Sequence, residues 1–246
     1  MPKFSAIVLA AGSGQRFGGR ENKIFATLDG QALFLRALQL FVNREDVCQT
    51  LLVVSPADMT VMKEKYGPNL GFMGVTLVAG GAERADSVAN GLAAVAVEAE
   101  FVAVHDAARV CVAEAWIDAI FDAARKSDAA IPAIPVTSAL KRVKQDGTVG
   151  ESVPREGLYM AQTPQAFRKT VLRKAYDARK AVQEKGPIYD DAQLVAATGQ
   201  AVTLVEGDAR NIKITTRGDL TVASALLKAL PQKAVSKRGA FEEAKW

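Results

Sequence analysis

Short, predominantly apolar runs alternate along this chain with stretches in which apolar residues return every three or four positions. Ala6–Ala10, Leu51–Val54, Val75–Val78 and Phe101–Val104 are runs of the first kind and predict strands buried on both faces. Ala130–Ile134 predicts a fifth strand, weakened by Pro132, which has no N–H to give to a ladder. Leu33, Leu35, Leu38, Leu40 and Phe41 fit one broad helical face, Val88, Leu92 and Val95 mark a second helix, and a third covers about 114–126. Apolar strands alternating with helices predict an α/β fold, its mostly parallel sheet covered by helices on both faces.

The rhythm changes near residue 136. Lys141–Lys144 and Thr148-Val149 flank Asp146-Gly147, a strong hairpin turn signal. This polar ribbon stands outside the strand–helix repeat and reads either as an arm that contacts a partner subunit or as a solvent-exposed hairpin. A helix near 167–183, a strand at Val202–Val205 and a helix near 216–229 follow, and Pro231 closes the last of these. The expected organisation is a single domain over 1–230 with a C-terminal tail at 231–246.

Composition narrows the class. Of 246 residues, 49% are hydrophobic and 24% charged, which excludes a disordered chain. Net charge is +4; within residues 231–246, Lys233, Lys237, Arg238 and Lys245 stand against Glu242 and Glu243. The remainder is close to balanced, and no basic block suggests a nucleic-acid partner. Cys48 and Cys111 form no C-x-x-C pair, and His105 is the only histidine, which excludes a histidine-rich metal site. No apolar run approaches the roughly 20 residues of a membrane span. A cytoplasmic, reduced protein with no membrane partner is the expectation.

Candidate chemistry sits where strands end. Gly12, Gly14, Gly18 and Gly19 follow the first strand, and a glycine-rich turn there lets backbone N–H groups approach an anion. The G-x-G-x-x-G spacing fails at Phe17, the second strand ends without an acid, and G-x-x-x-x-G-K-[ST] is absent. These gaps argue against a nicotinamide enzyme and a P-loop. Arg16 and Lys23 place cations in and just after the loop, suited to a polyphosphate. A second glycine turn, Gly80-Gly81, leads into a helix carrying Ser87, whose hydroxyl could meet a base or phosphate or simply belong to the helix start. The fourth strand ends in His105-Asp106-Ala107-Ala108-Arg109. Asp106 is placed to hold Mg²⁺ or a hydroxyl, with His105 packed beneath it. Lys213, in the polar run Glu206–Thr215, adds another cation. A non-catalytic nucleotide-binding module would leave Arg16, Lys23, Asp106 and Lys213 together without a reason.

In order along about 5–228, Ala10–Arg16, Gly80–Val88, His105–Arg109, Pro135–Thr137, Leu140–Arg142, Arg155 with Ala161–Gln165, Asp190–Ala192 and Glu206–Thr215 resemble the 2-C-methyl-D-erythritol 4-phosphate cytidylyltransferases, nucleotidyltransferases with a glycosyltransferase-A-like fold. The resemblance implies joining of CTP to the sugar-alcohol phosphate with Mg²⁺, and release of pyrophosphate. It implies that Arg16 and Lys23 stabilise the transition state and that Arg155 and Lys213 hold the acceptor. Ala11, Gly12, Gly14, Gly81, Ala82 and Ser87 would line the CTP site, while Asp106, Ala107, Arg109 and Thr163 would face the sugar alcohol or the metal. It also implies a homodimer through an arm at about 137–160. The chain departs from the family's usual pattern at Asn22, Ile24, Ala82, Val110 and Tyr189. A relative acting on another polyol phosphate, such as ribitol 5-phosphate, is the alternative.

Overall fold

A computed structural model describes residues 1–12, 14, 17, 18 and 22–231. In chain order its elements are β1 (Phe4–Ala10), a short hairpin of β2 (Thr27–Leu28) and β3 (Gln31–Ala32), α1 (Leu33–Gln39), β4 (Val47–Val54), α2 (Met59–Phe72), β5 (Val75–Ala79), α3 (Arg84–Ala93), β6 (Phe101–Asp106) and α4 (Glu114–Ser127). They continue with β7 (Ala129–Pro135), β8 (Leu140–Val143), β9 (Val149–Val153), β10 (Tyr159–Ala161), β11 (Gln165–Arg168), α5 (Lys169–Asp177), α6 (Arg179–Gln183), α7 (Asp191–Ala197), β12 (Thr203–Glu206) and α8 (Gly218–Lys228).

β1 is central, parallel to β4 on one side and to β6 on the other, and β5 extends the sheet beyond β4. β11 runs antiparallel between β6 and β7, and β12 is parallel to β7. The result is the expected mostly parallel sheet, with two reversed segments, β10 and β11, both antiparallel to β7. Successive side chains enter opposite cores, as a pleat requires. Phe4, Ala6 and Val8 of β1 pack on one face with Phe34, Phe41 and Phe121, whereas Ile7 packs on the other with Leu51, Val53, Val88 and Val104. Both faces of β1, β6 and the second half of β4 are buried, so these read as continuous apolar runs; β5, beyond β4 at the edge of the sheet, buries only Val75, against the expectation of a strand covered on both faces.

Pro132 does not weaken β7, which is paired along both edges. The partner strand gives way instead: β10 and β11 are separate segments, and between them Gln162 N–H donates to the Pro132 carbonyl (2.8 Å). The expected helix at 167–183 is also redrawn. Gln165–Arg168 is a strand, and two short helices, α5 and α6, cover the rest. The hairpin forms as expected: β8 pairs with β9, Gly147 turns between them at φ +81°, and the ribbon is exposed.

Parallel strands diverge to opposite sides of the boundary between β1 and β6, where the order of connection reverses. Such a switch point leaves a crevice at the carboxyl ends of the strands. Ala11 and Gly12 leave β1 there, and Asp106 ends β6.

Candidate active site

A cleft of about 380 Å³ opens at that switch point, lined by residues of the first loop, the second glycine turn, the end of β6 and the 206–215 segment. Of the residues expected from sequence, Ala11, Gly12, Lys23, Gly81, Ala82, Ser87, Asp106 and Lys213 line it. Gly14 supports the loop rather than the lining: at φ +63°, a Cβ there would lie 3.2 Å from the Lys23 backbone nitrogen. Arg16 and the other undescribed part of the loop, Ser13, Gln15 and 19–21, lie outside the described residues, as does 232–246 of the tail.

Lys23 is carried into the cleft by a single 3₁₀ turn (Lys23–Phe25) capped by Asn22, whose side chain accepts from Ile24 N–H. The Asn22 amide also donates to the Gly12 carbonyl and to Asp58, both at 2.9 Å. Asn22 thereby ties the glycine loop to the segment after β4. The Lys23 ammonium donates to the Ile214 carbonyl at 3.1 Å, which brings the first loop against the last one.

The second glycine turn is built by contact. A Cβ on Gly80 would lie 2.6 Å from Ala11 Cβ, and one on Gly81 would lie 2.2 Å from Asp86 Cβ. Only glycine permits this approach. The Ser87 hydroxyl holds the turn: it accepts from Gly81 N–H (3.1 Å) and donates to the Glu83 carbonyl (3.2 Å). Glu83 and Asp86 form a reciprocal capping box at the start of α3.

Asp106 is the electrostatic centre. Lys213 Nζ lies 2.8 Å from its carboxylate, Arg84 Nε 3.8 Å and Arg109 Nε 3.9 Å. Burial alone would raise its pKa, but the three cations hold it far below the usual carboxylate range. Arg84, which sequence reasoning read only as part of a helix start, faces the cleft and pairs with both Asp106 and the fully buried Asp191. The signal was present: Arg84 is the one cation in the glycine turn Gly80–Val88.

Thr163 and Ala107 are buried beneath the site. Arg109 is committed to the frame, donating to the Asn211 carbonyl at 2.6 Å. Below Asp106 runs a chain with one consistent proton arrangement. The Asp106 N–H donates to the Thr163 hydroxyl (3.1 Å), the hydroxyl donates to His105 Nδ1 (3.0 Å), and His105 Nε2–H donates to the Arg109 carbonyl (2.8 Å). His105 is wholly buried, which lowers its pKa to about 4 and keeps it neutral. Arg155 does not line the cleft of its own chain; it lies on the exposed segment after β9 and donates to the Thr137 carbonyl.

The family pattern described as IspD, 2-C-methyl-D-erythritol 4-phosphate cytidylyltransferase, matches residues 4–229. The chain belongs to this family. A cytidylyltransferase of that name from Rhodopirellula baltica is 41% identical over 235 residues, covering 91% of this chain and 94% of the relative. One from Pelotomaculum thermopropionicum is 40% identical over 93% of this chain and 96% of its own. Among solved structures, the enzyme of the same name from Thermus thermophilus superposes with a TM-score of 0.74 at 34% identity, covering 92% of this chain and 99% of that one. The Francisella tularensis structure superposes at 0.79 with 26% identity, over 92% and 100% of the two chains. As a member of the family, the chain is a nucleotidyltransferase with the family's mixed, helix-flanked sheet.

Proposed function

We propose that this chain joins CTP to 2-C-methyl-D-erythritol 4-phosphate within the cleft between β1 and β6. The observation that carries the reading is the pairing of Arg84 and Lys213 with Asp106 in a cleft that Lys23 also lines, against two glycine turns whose backbones a phosphate can approach. An oxygen of the acceptor's phosphate attacks the α-phosphorus of CTP. The bond from that phosphorus to the oxygen bridging to the β-phosphate breaks, and pyrophosphate leaves with the electron pair. The attacking group is already an anion, so the protein supplies position and charge rather than a base. That explains a site rich in cations whose sole histidine is neutral and buried.

Each residue then has a task. Lys23 faces the triphosphate, and Arg16, outside the described residues, would add a second cation; Ala11, Gly12, Gly14, Gly81 and Ala82 shape the CTP pocket, with Ser87 holding its wall. Lys213 sits on Asp106 until phosphate competes for its ammonium. Arg109 and Thr163 fix Asp106 from below, with Ala107 packed beside them. Among the described residues no group of three His, Cys, Asp or Glu could hold a metal ion. Mg²⁺ bound chiefly through substrate oxygens needs only one or two carboxylates, and Asp106, kept anionic, fits that part. The ion would neutralise phosphate charge at the reacting centre.

Arg155 completes the acceptor site from a second copy of the chain, reached through the arm at 137–160. Support for this comes from its absence from its own cleft and from exposed Val143, Val149, Leu158, Tyr159 and Met160 along that segment. A cytoplasmic location suits these ionic substrates; Cys48 and Cys111 are unpaired, and no described helix is long and apolar enough to cross a membrane.

The test is pyrophosphate release with each of the four nucleoside triphosphates against 2-C-methyl-D-erythritol 4-phosphate and ribitol 5-phosphate. Release confined to CTP with the methylerythritol phosphate is expected. Release with ribitol 5-phosphate alone moves the acceptor, and silence from every pair in folded protein refutes the reading.

A further inference from the structure

Arg84 is held from behind by groups that never reach the cleft. Its Nη2 donates to Asp191 Oδ2 at 2.7 Å, and Asp191 is wholly buried. The other oxygen of that carboxylate accepts from the Tyr176 hydroxyl at 2.5 Å. The backbone of α7 is pinned in turn: Asp191 N–H and Ala192 N–H both donate to Gln165 Oε1 at 3.2 Å. Thus β11 and α5 converge on Asp191 of α7, the first at its backbone and the second at its carboxylate, and that carboxylate grips one edge of a guanidinium. The same edge faces Asp106, 3.8 Å from Arg84 Nε. Among the described residues Nη1 has no partner, and Arg84 lines the cleft.

We propose that Tyr176 and Asp191 are positioning residues for the reaction: they clamp Arg84 so that its free edge stands fixed toward the nucleotide phosphates while its bound edge orients Asp106. The inference rests on the functional reading above. Three features separate it from a plain stabilising ion pair. First, the pair is not closed, because its cation emerges into the cleft. Second, the cleft's other cation on Asp106, Lys213, has an exposed ammonium arm and no such backing, so Arg84 is the fixed cation and Lys213 the movable one. Third, a planar guanidinium can serve Asp191, Asp106 and a phosphate from separate nitrogens at once, which an ammonium on a flexible stem cannot.

The experiment measures CTP affinity by calorimetry and kcat and KM for both substrates in Tyr176→Phe, Asp191→Asn and Arg84→Lys. Tyr176→Phe keeps the ring and removes one donor, so the fold should survive with a small loss of thermal stability. Its CTP affinity and kcat/KM for CTP should fall about fivefold to tenfold, the net worth of one ordinary hydrogen bond, with KM for the acceptor unchanged. Asp191→Asn should fall further, or fail to fold because it takes the buried carboxylate from Arg84; Tyr176→Phe then decides alone. Arg84→Lys should not restore function although it keeps the charge. Folded Tyr176→Phe with wild-type CTP affinity and wild-type kinetics, or full activity in Arg84→Lys, overturns the inference. An inactive wild-type protein that still loses CTP affinity in Tyr176→Phe would instead count against the assigned reaction and leave the clamp standing.

Discussion

Asp106 keeps its charge in a place where burial opposes it, because Lys213, Arg84 and Arg109 surround it. Under the proposed function the lysines of the cleft answer to the ligand rather than to the core, which sets the expected behaviour of single substitutions. Lys23→Ala removes a loop cation that donates to the Ile214 carbonyl. It should lower kcat about a hundredfold, the scale of one lost transition-state donor, and leave the melting temperature within about 2 °C; an unfolded variant, or one with normal turnover, contradicts the role. His105 behaves differently. Its pKa is lowered by burial from 6.5 to about 4 in the folded protein, so between those values only the unfolded chain takes up the proton. Its contribution is therefore complete above pH 6.5 and lost as pH falls toward 4, by about 3 kcal/mol in all. Thermal unfolding measured from pH 7 to 4 should show a steeper decline for the wild type than for His105→Gln, after both are normalised at pH 7. Parallel curves would show that the imidazole is not held neutral.

The elements that shape the cleft were legible wherever hydrophobic pattern and burial coincide. β1, β4 and β6 are apolar on both faces because both faces are covered, and the run of residues said so directly. β11 was not legible: Gln165-Ala166-Phe167-Arg168 has no strand pattern, and it is a strand because it fits antiparallel between β6 and β7. α2 was hidden by Gly67, Pro68 and Gly71, which helices rarely accept, yet the helix runs through them with Met62 and Leu70 buried. α7 is capped by Asp190, whose side chain accepts from Gln193 N–H; with only seven residues behind the cap it has too few positions to show a helical period. The second glycine turn was read only as the way into a helix; the close approach of Gly80 and Gly81 to their neighbours came from the structure, and it makes a sharp prediction. Gly81→Ala forces a methyl group against Asp86, so the capping box and the cleft wall must move together. The expected cost is about 1–3 kcal/mol of stability with at least a tenfold rise in the KM for CTP. Unchanged CTP affinity in a folded Gly81→Ala protein would show that this wall does not touch nucleotide.

At the scale of the whole molecule, the cleft collects residues from both ends of the chain: Lys23 donates to Ile214, and Asp106 pairs with Lys213. Spacing alone could not show that these segments meet; the order of family motifs supplied it. Arg84 was missed for a related reason, since its partners Asp106 and Asp191 are distant in sequence and its exposure depends on where α7 packs. Arg155 stays outside its own cleft, so shared sites in a dimer predict complementation. Mixed chains of Arg155→Ala and Lys23→Ala, each inactive alone, should regain about a quarter to a half of wild-type activity per heterodimer, since one of two sites is whole; verified heterodimers with none exclude the shared arm. The central claim, cytidylyl transfer in the cleft between β1 and β6, is tested most directly by following phosphorus-31 resonances of CTP mixed with 2-C-methyl-D-erythritol 4-phosphate, Mg²⁺ and the protein. The account predicts that the acceptor's monoester signal disappears as a diphosphate diester and free pyrophosphate appear in equal amounts. Formation of CMP or CDP with the acceptor signal intact would contradict it.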